Sequence, residues 1–208
     1  MLSFAGCENW DALYNGYKNN HNYFTSSGMA NFWWLQHDYW FELYNGHYLF
    51  LDAQFISLVT VSMFNNILIV CVGNICRSPM AEYLLQHMIN KNGIDTRVSS
   101  AGLGALVGHE ADEYAIEIMR EHGVDAAAHR ARQLDGDMVK QNELILVMEH
   151  WQKKEIESLY PYARGRVHLL GKWADTEISD PYKKPKDAFV HVFEKINKAC
   201  DQWCNKLC

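Results

Sequence analysis

Residues 67–72 (ILIVCV) form an unbroken apolar run, and Pro79, a few positions on, opens a segment with helical apolar spacing. A run of that kind suits a strand buried on both faces, as in parallel sheets covered by helices. Proline is tolerated in the first turn of a helix, where the amide it lacks has no intrahelical partner. Met80, Leu84, Leu85, Met88 and Ile89 then make one apolar face, and Gly93 supplies a stop. The alternation continues downstream. Residues 96–101, 143–148 and 167–170 read as further strands. Residues 111–122, with Ile116 and Met119 inward, and His150–Leu159 read as helices. Lys186–Leu207 closes with Phe189, Phe193, Ile196, Cys200, Trp203 and Leu207 on one stripe. This order predicts an α/β fold, a parallel sheet with helices on both faces. Ligands in such sheets bind at the carboxyl ends of the strands, and Cys71 stands at the carboxyl end of the first.

The loop between that strand and its helix reads CVGNICRSP, from Cys71 to Pro79. Backbone N–H groups of a strand-to-helix loop converge on one spot, and with the helix dipole they make an anion site. Gly73 allows a tight turn and a close approach to a ligand. Asn74 is among the few other residues that tolerate a left-handed conformation. Arg77 adds a planar, permanently charged fork that matches two oxygens of a phosphate. The five residues between Cys71 and Arg77 are enough to curl the loop around a tetrahedral dianion. The same field favours the thiolate of a cysteine that faces it. A thiolate at the base of a phosphate cradle is a nucleophile aimed at phosphorus. Ser78 is placed to donate a hydrogen bond to it.

The chain changes character near Met63. Of its 27 aromatic residues, 16 lie before that position, and Lys18 is the only lysine or arginine there. Neither helical nor strand periodicity is sustained in this stretch. Residues 1–62 are open to three readings: an interaction or membrane-surface module, a cap on the domain, or upstream sequence ahead of a natural start at Met63. The last is preferred, with residues 63–208 as the functional domain. The net charge of −6 argues against a nucleic-acid partner, which usually leaves a basic footprint. The apolar stretch 48–64 is interrupted by Asp52 and Gln54 and is short for a membrane span, so no stable membrane insertion is expected. The six cysteines do not space as a disulfide framework, which points to a reducing, cytoplasmic compartment.

VCVGNICRSPMAE resembles the signature of the low-molecular-weight protein tyrosine phosphatases. SAGLGALVGHEAD, HRARQL, LILVMEHW and SDPYKK follow in that family's order and approximate spacing. The likeness runs from Met63 to the C-terminus. It is closest to the bacterial branch, whose members act on tyrosine autokinases of capsule and exopolysaccharide export. The fold this implies is a three-layer sandwich with strand order 2-1-3-4. The resemblance makes Cys71 the nucleophile and assigns phosphate binding to Arg77 and the backbone of Val72, Gly73, Asn74, Ile75 and Cys76. Asn74 and Ser78 support the loop. Asp180, which as a lone Asp-Pro dipeptide reads as a turn residue, becomes the general acid. Tyr182 and Leu106 become the walls of the cleft. Glu143 stands where the family usually has aspartate, which puts any support contact there in doubt. No metal or other cofactor is expected, because backbone dipoles and Arg77 supply the charge stabilisation.

Cys76 allows two readings, a packing residue or a partner for a reversible disulfide with Cys71. Cys200, Cys204 and Cys208 read as core and terminus rather than as metal ligands. His129 is expected near the phosphate loop. Two other functions compete. A thiol-dependent arsenate reductase uses the same kind of loop, but no cysteine lies between Arg77 and Cys200 to resolve it. A non-catalytic phosphotyrosine-binding module needs neither a nucleophile nor an acid.

Overall fold

The apolar run becomes β4 (Asn66–Cys71), with every residue after Asn66 buried. In the computed structural model, residues 64–207 are described, together with the backbone of β1 (Tyr39–Leu43), β2 (His47–Asp52) and β3 (Phe55–Ser57). These three strands form one small sheet, in which β2 and β3 run antiparallel. The sequence reading of residues 1–62 as unpatterned misses them, because short aromatic-rich strands carry strand propensity without a long period. The expectation about Met63 as a start lies outside the described residues.

The main sheet is built from β4, β5 (Arg97–Gly102), β6 (Leu144–Val147) and β7 (Val167–Leu169), in the order β5-β4-β6-β7. All its pairings are parallel, which is the expected 2-1-3-4 arrangement. The helices are α1 (Arg77–Lys91), α2 (Glu113–Glu121), α3 (Gly136–Gln141), α4 (His150–Leu159) and α5 (Lys186–Leu207). Successive residues of β4 point to opposite faces. Ile67 and Ile69 pack with Leu85 and Ile89 of α1 and Phe193 and Ile196 of α5. Leu68 and Val70 pack with Val139 of α3 and Ile156 of α4. Each such aliphatic side chain contributes about 1.5–3 kcal/mol when fully buried, so both layers hold β4 in register. Among the described residues, no helix is long and apolar enough to cross a membrane.

Three local expectations need correction. The inward face of α2 is Ala115, Ile118 and Met119, whereas Ile116 is only half-buried. Asp112 sets this phase, because its carboxylate caps the helix by accepting from Tyr114 N–H. Helix α3 has no counterpart in the sequence reading. It is one six-residue turn started by Asp135, which accepts from Met138 N–H, and only Val139 is buried. Glu143 does make a support contact: its carboxylate accepts from Asn66 N–H at 2.7 Å. The longer side chain reaches across to the start of β4, the end of the sheet away from Cys71.

Candidate active site

β4 ends at Cys71, which lines a cavity of about 150 Å³ at the carboxyl edge of the sheet. Cys71, Val72, Gly73, Ile75, Cys76 and Arg77 supply one side. Leu106, Gly104, Asp180 and Tyr182 supply the other. Asn74 and Ser78 are fully buried behind the loop rather than in the cavity. Their side chains hold the loop from within.

Asn74 sets the geometry. Its φ of 55° puts it in the left-handed region, which turns its N–H onto Cys71 Sγ at 3.2 Å. Gly73 is not in that region, and a Cβ there would meet Ile75 at an ordinary 3.5 Å. The tight turn therefore belongs to Asn74. The Asn74 Nδ2 group donates to Ser78 Oγ and to Ser100 Oγ, both at 2.8 Å. Ser100 Oγ in turn donates to the Glu82 carboxylate. Ser78 Oγ, which accepts from Asn74, lies within hydrogen-bond distance of Cys71 Sγ, 3.0 Å away. The sulfur thus has two hydrogen-bond partners from its own loop.

The outside of the loop is also tied down. His129 Nε2 lies 2.7 Å from the Asn74 carbonyl, which makes it the donor and fixes the Nε2–H tautomer. Arg132 N–H donates to Asn74 Oδ1 at 2.8 Å. Leu103, Gly104 and Leu106 N–H groups donate to the carbonyls of Cys71, Val72 and Gly73. This approach is close enough that a Cβ at Gly102 would lie 2.4 Å from the Val72 carbonyl oxygen.

Arg77 is 1% exposed and gathers the acidic side of the site. Its Nη2 donates to Asp180 Oδ2 at 2.6 Å. Its Nη1 donates to the Ile178 carbonyl at 3.1 Å and pairs with Glu149. Its Nε–H is buried without a hydrogen-bond partner among the described residues. Asp180 sits on the loop after β7, and its other oxygen accepts from Tyr182 N–H at 3.1 Å. Glu149, the N-cap of α4, is a site residue that the sequence reading does not single out. Nothing local distinguishes it from a surface glutamate. Ser100, Glu82 and Arg132 were likewise missed, since their contacts with Asn74 arise from sheet register.

Cys76 is a buried thiol, pushed up by burial first and then by the acids Asp112 and Asp180. Cys200 and Cys204 are buried in α5, and Cys208 lies outside the described residues. His129 and Glu82 face each other at 3.8 Å, yet burial lowers the histidine and raises the carboxyl. For both groups desolvation is the largest cause of the shift, so burial disfavours the charged form of each.

A strand-to-helix loop that aims a cysteine and an arginine into one cavity of a four-stranded parallel sheet defines a class: α/β proteins with a cysteine-bearing phosphate loop. The family described as low molecular weight phosphotyrosine protein phosphatase matches residues 66–208. A relative from Ralstonia nicotianae, named probable low molecular weight protein-tyrosine-phosphatase EpsP, is 46% identical over 70% of this chain and 97% of its own length. The crystal structure of the tyrosine phosphatase AmsI from Erwinia amylovora is 44% identical and covers 70% of this chain and 94% of its own, with a TM-score of 0.66. Vibrio vulnificus Wzb in complex with benzylphosphonate is 42% identical over 69% of this chain and 99% of its own, also at 0.66. The chain belongs to this family and is a bacterial-type low molecular weight protein-tyrosine phosphatase, a hydrolase.

Proposed function

We propose that the protein hydrolyses phosphotyrosine on protein substrates through a cysteinyl-phosphate intermediate. The observation that carries this reading is the setting of Cys71, whose Sγ accepts from Asn74 N–H and lies 3.0 Å from Ser78 Oγ in the cavity that Arg77 and Asp180 also line. The phosphoryl group enters over Sγ, and its equatorial oxygens accept from the loop N–H groups and from Arg77. Arg77 Nε–H and Nη2 form the edge that meets two of these oxygens, so the dianion takes the place of Asp180 on the guanidinium. Sγ attacks phosphorus in line and the P–O bond to the phenol breaks. Asp180 gives its proton to the leaving phenolate. Asp180 then takes a proton from water, which attacks the cysteinyl-phosphate, and phosphate leaves with the thiolate restored. Ser78 steadies the sulfur as it leaves. The aryl ring packs against Tyr182, Leu106 and Ile75, all of which line the cavity. Vibrio vulnificus Wzb, a relative of this chain, is known with benzylphosphonate bound, an arylmethyl phosphonate of the same outline.

The physiological substrate we infer is a bacterial tyrosine autokinase of capsule or exopolysaccharide production, met in the cytoplasm. That inference rests on the likeness to the EpsP, AmsI and Wzb group. Arsenate reduction is less well supported, because Cys200 and Cys204 are buried in α5 and do not line the cavity.

Turnover of p-nitrophenyl phosphate, blocked by vanadate, tests the reading. Cys71→Ser is expected to abolish turnover and to retain phosphate binding; residual turnover above the uncatalysed rate removes Cys71 as nucleophile. Asp180→Asn is expected to lower kcat by about 10²–10⁴, the range of general acid catalysis. The loss should be greatest for phenols that leave poorly. Equal slowing across a leaving-group series sinks the acid assignment.

A further inference from the structure

A second cleft, of about 200 Å³, opens beside β5 on the far side of Asn74 from Cys71. Arg97, Arg130, Arg132, Tyr83, His129 and Glu82 are among the residues that line it. Three arginines line this one cleft in a chain of net charge −6, and their like charges disfavour one another there.

Their commitments differ. Arg130 donates to the Ala127 and His129 carbonyls and pairs with Glu110 at 3.0 Å. Arg132 donates through Nη2 to the Ser100 carbonyl at 2.8 Å. The Arg97 side chain makes neither a hydrogen bond nor an ion pair among the described residues, and its backbone is fixed in β5 by pairing with Asn66. Glu82 offsets only part of this charge: Arg132 and Arg97 favour its carboxylate and Ser100 donates to it, but burial is the larger effect and raises it.

We propose that this cleft is a second anion site that takes a phosphate monoester group, held by Arg97 and Arg132 with Tyr83 as an additional hydroxyl donor. Planar guanidinium forks match paired oxygens of a tetrahedral phosphoryl group, and the cleft has room for one. The positive cluster is independent of the catalytic reading. The choice of phosphate as ligand class rests on that reading, since a phosphatase meets phosphoryl groups on its substrate and as its free product. His129 and Arg132 also hold Asn74, so changing them disturbs the nucleophile loop. Arg97 has no such second task and is the residue to change.

The full chain is titrated with inorganic phosphate by calorimetry, as Cys71→Ser and as Cys71→Ser with Arg97→Glu. Two sites are expected in the first and one in the second. Arg97→Gln in place of Arg97→Glu, with unfolding midpoints for each, separates a lost site from a lost fold. A single site in both proteins overturns the proposal. Binding in the cleft with none at the Cys71 loop supports the proposal and overturns the catalytic reading instead. Kinetics then distinguish the source. If the ligand is a second phosphotyrosine of the substrate, Arg97→Glu raises KM for a doubly phosphorylated peptide about tenfold, as for loss of one charge-assisted contact. KM for a singly phosphorylated peptide and for p-nitrophenyl phosphate stays unchanged. Loss of the second phosphate with all KM values unchanged assigns the site to free phosphate.

Discussion

Asn74 holds more of the phosphate loop than any other residue in it. Its N–H, its carbonyl, both protons of Nδ2 and its Oδ1 all have partners, on Cys71, His129, Ser78, Ser100 and Arg132. Its left-handed backbone was foreseen from residue type alone, because asparagine tolerates φ near 55°. The network was not, since Ser100 and Arg132 lie 26 and 58 positions away. Only the pairing of β4 with β5 and the path of the chain before α3 bring them in. A paired substitution separates the two roles. Asn74→Gly keeps the backbone and loses the side-chain bonds. Asn74→Ala loses both, adding about 1–2 kcal/mol for a Cβ in the left-handed region. Both are expected to lower kcat and the urea midpoint, with alanine lower in each; equal midpoints mean that backbone strain plays no part.

At the scale of elements, the sheet order, the five residues buried in β4 and the stripe on α5 were legible because each rests on a long periodic or continuous apolar signal. What escaped was short or depended on distant neighbours: α3, the one-residue phase of α2, and the reach of Glu143 to Asn66. The site divides in the same way. Cys71, Arg77 and Asp180 sit in motifs, and they do meet at one cavity, whereas Glu149 became visible only when α4 placed it against Arg77. The junction of β5 with the loop makes a further demand. With Val72 carbonyl oxygen 2.4 Å from where a Gly102 Cβ would stand, and Ala105 at about 3 Å, no flexible side chain can give way. Gly102→Ala is expected to displace the loop, lower kcat by roughly tenfold or more, as when about one hydrogen bond of transition-state alignment is lost, and reduce the midpoint of thermal unfolding. Wild-type kcat in this variant would mean that the loop yields without cost.

For the whole molecule, titratable groups that folding buries wholly or in part set opposing responses to pH. His129 is lowered from 6.5, by burial first and by Arg132 and Arg130 after it. His168 is lowered as well, by burial and then by Lys172 and Lys153. A histidine whose folded value lies below its unfolded one takes its proton in the unfolded chain first. Stability contributed by these two groups is therefore complete above about 6.5 and is lost as pH falls through that value toward the folded one. Glu82 and Asp112 are raised by burial, so the folded state binds their protons more tightly. Their contribution is complete below the unfolded carboxyl values of 4.5 and 3.8 and is lost as pH rises through the folded ones. Between pH 6.5 and 5 the histidine response lowers the urea midpoint with acid, and His129 is the more deeply buried of the two. His129→Gln keeps an N–H able to donate to the Asn74 carbonyl but has no proton to gain. Its urea midpoint is expected to fall less steeply over that interval than the wild-type midpoint, while kcat near neutrality is largely retained. Parallel slopes in the two proteins would assign the acid sensitivity to His168 and to groups away from the loop.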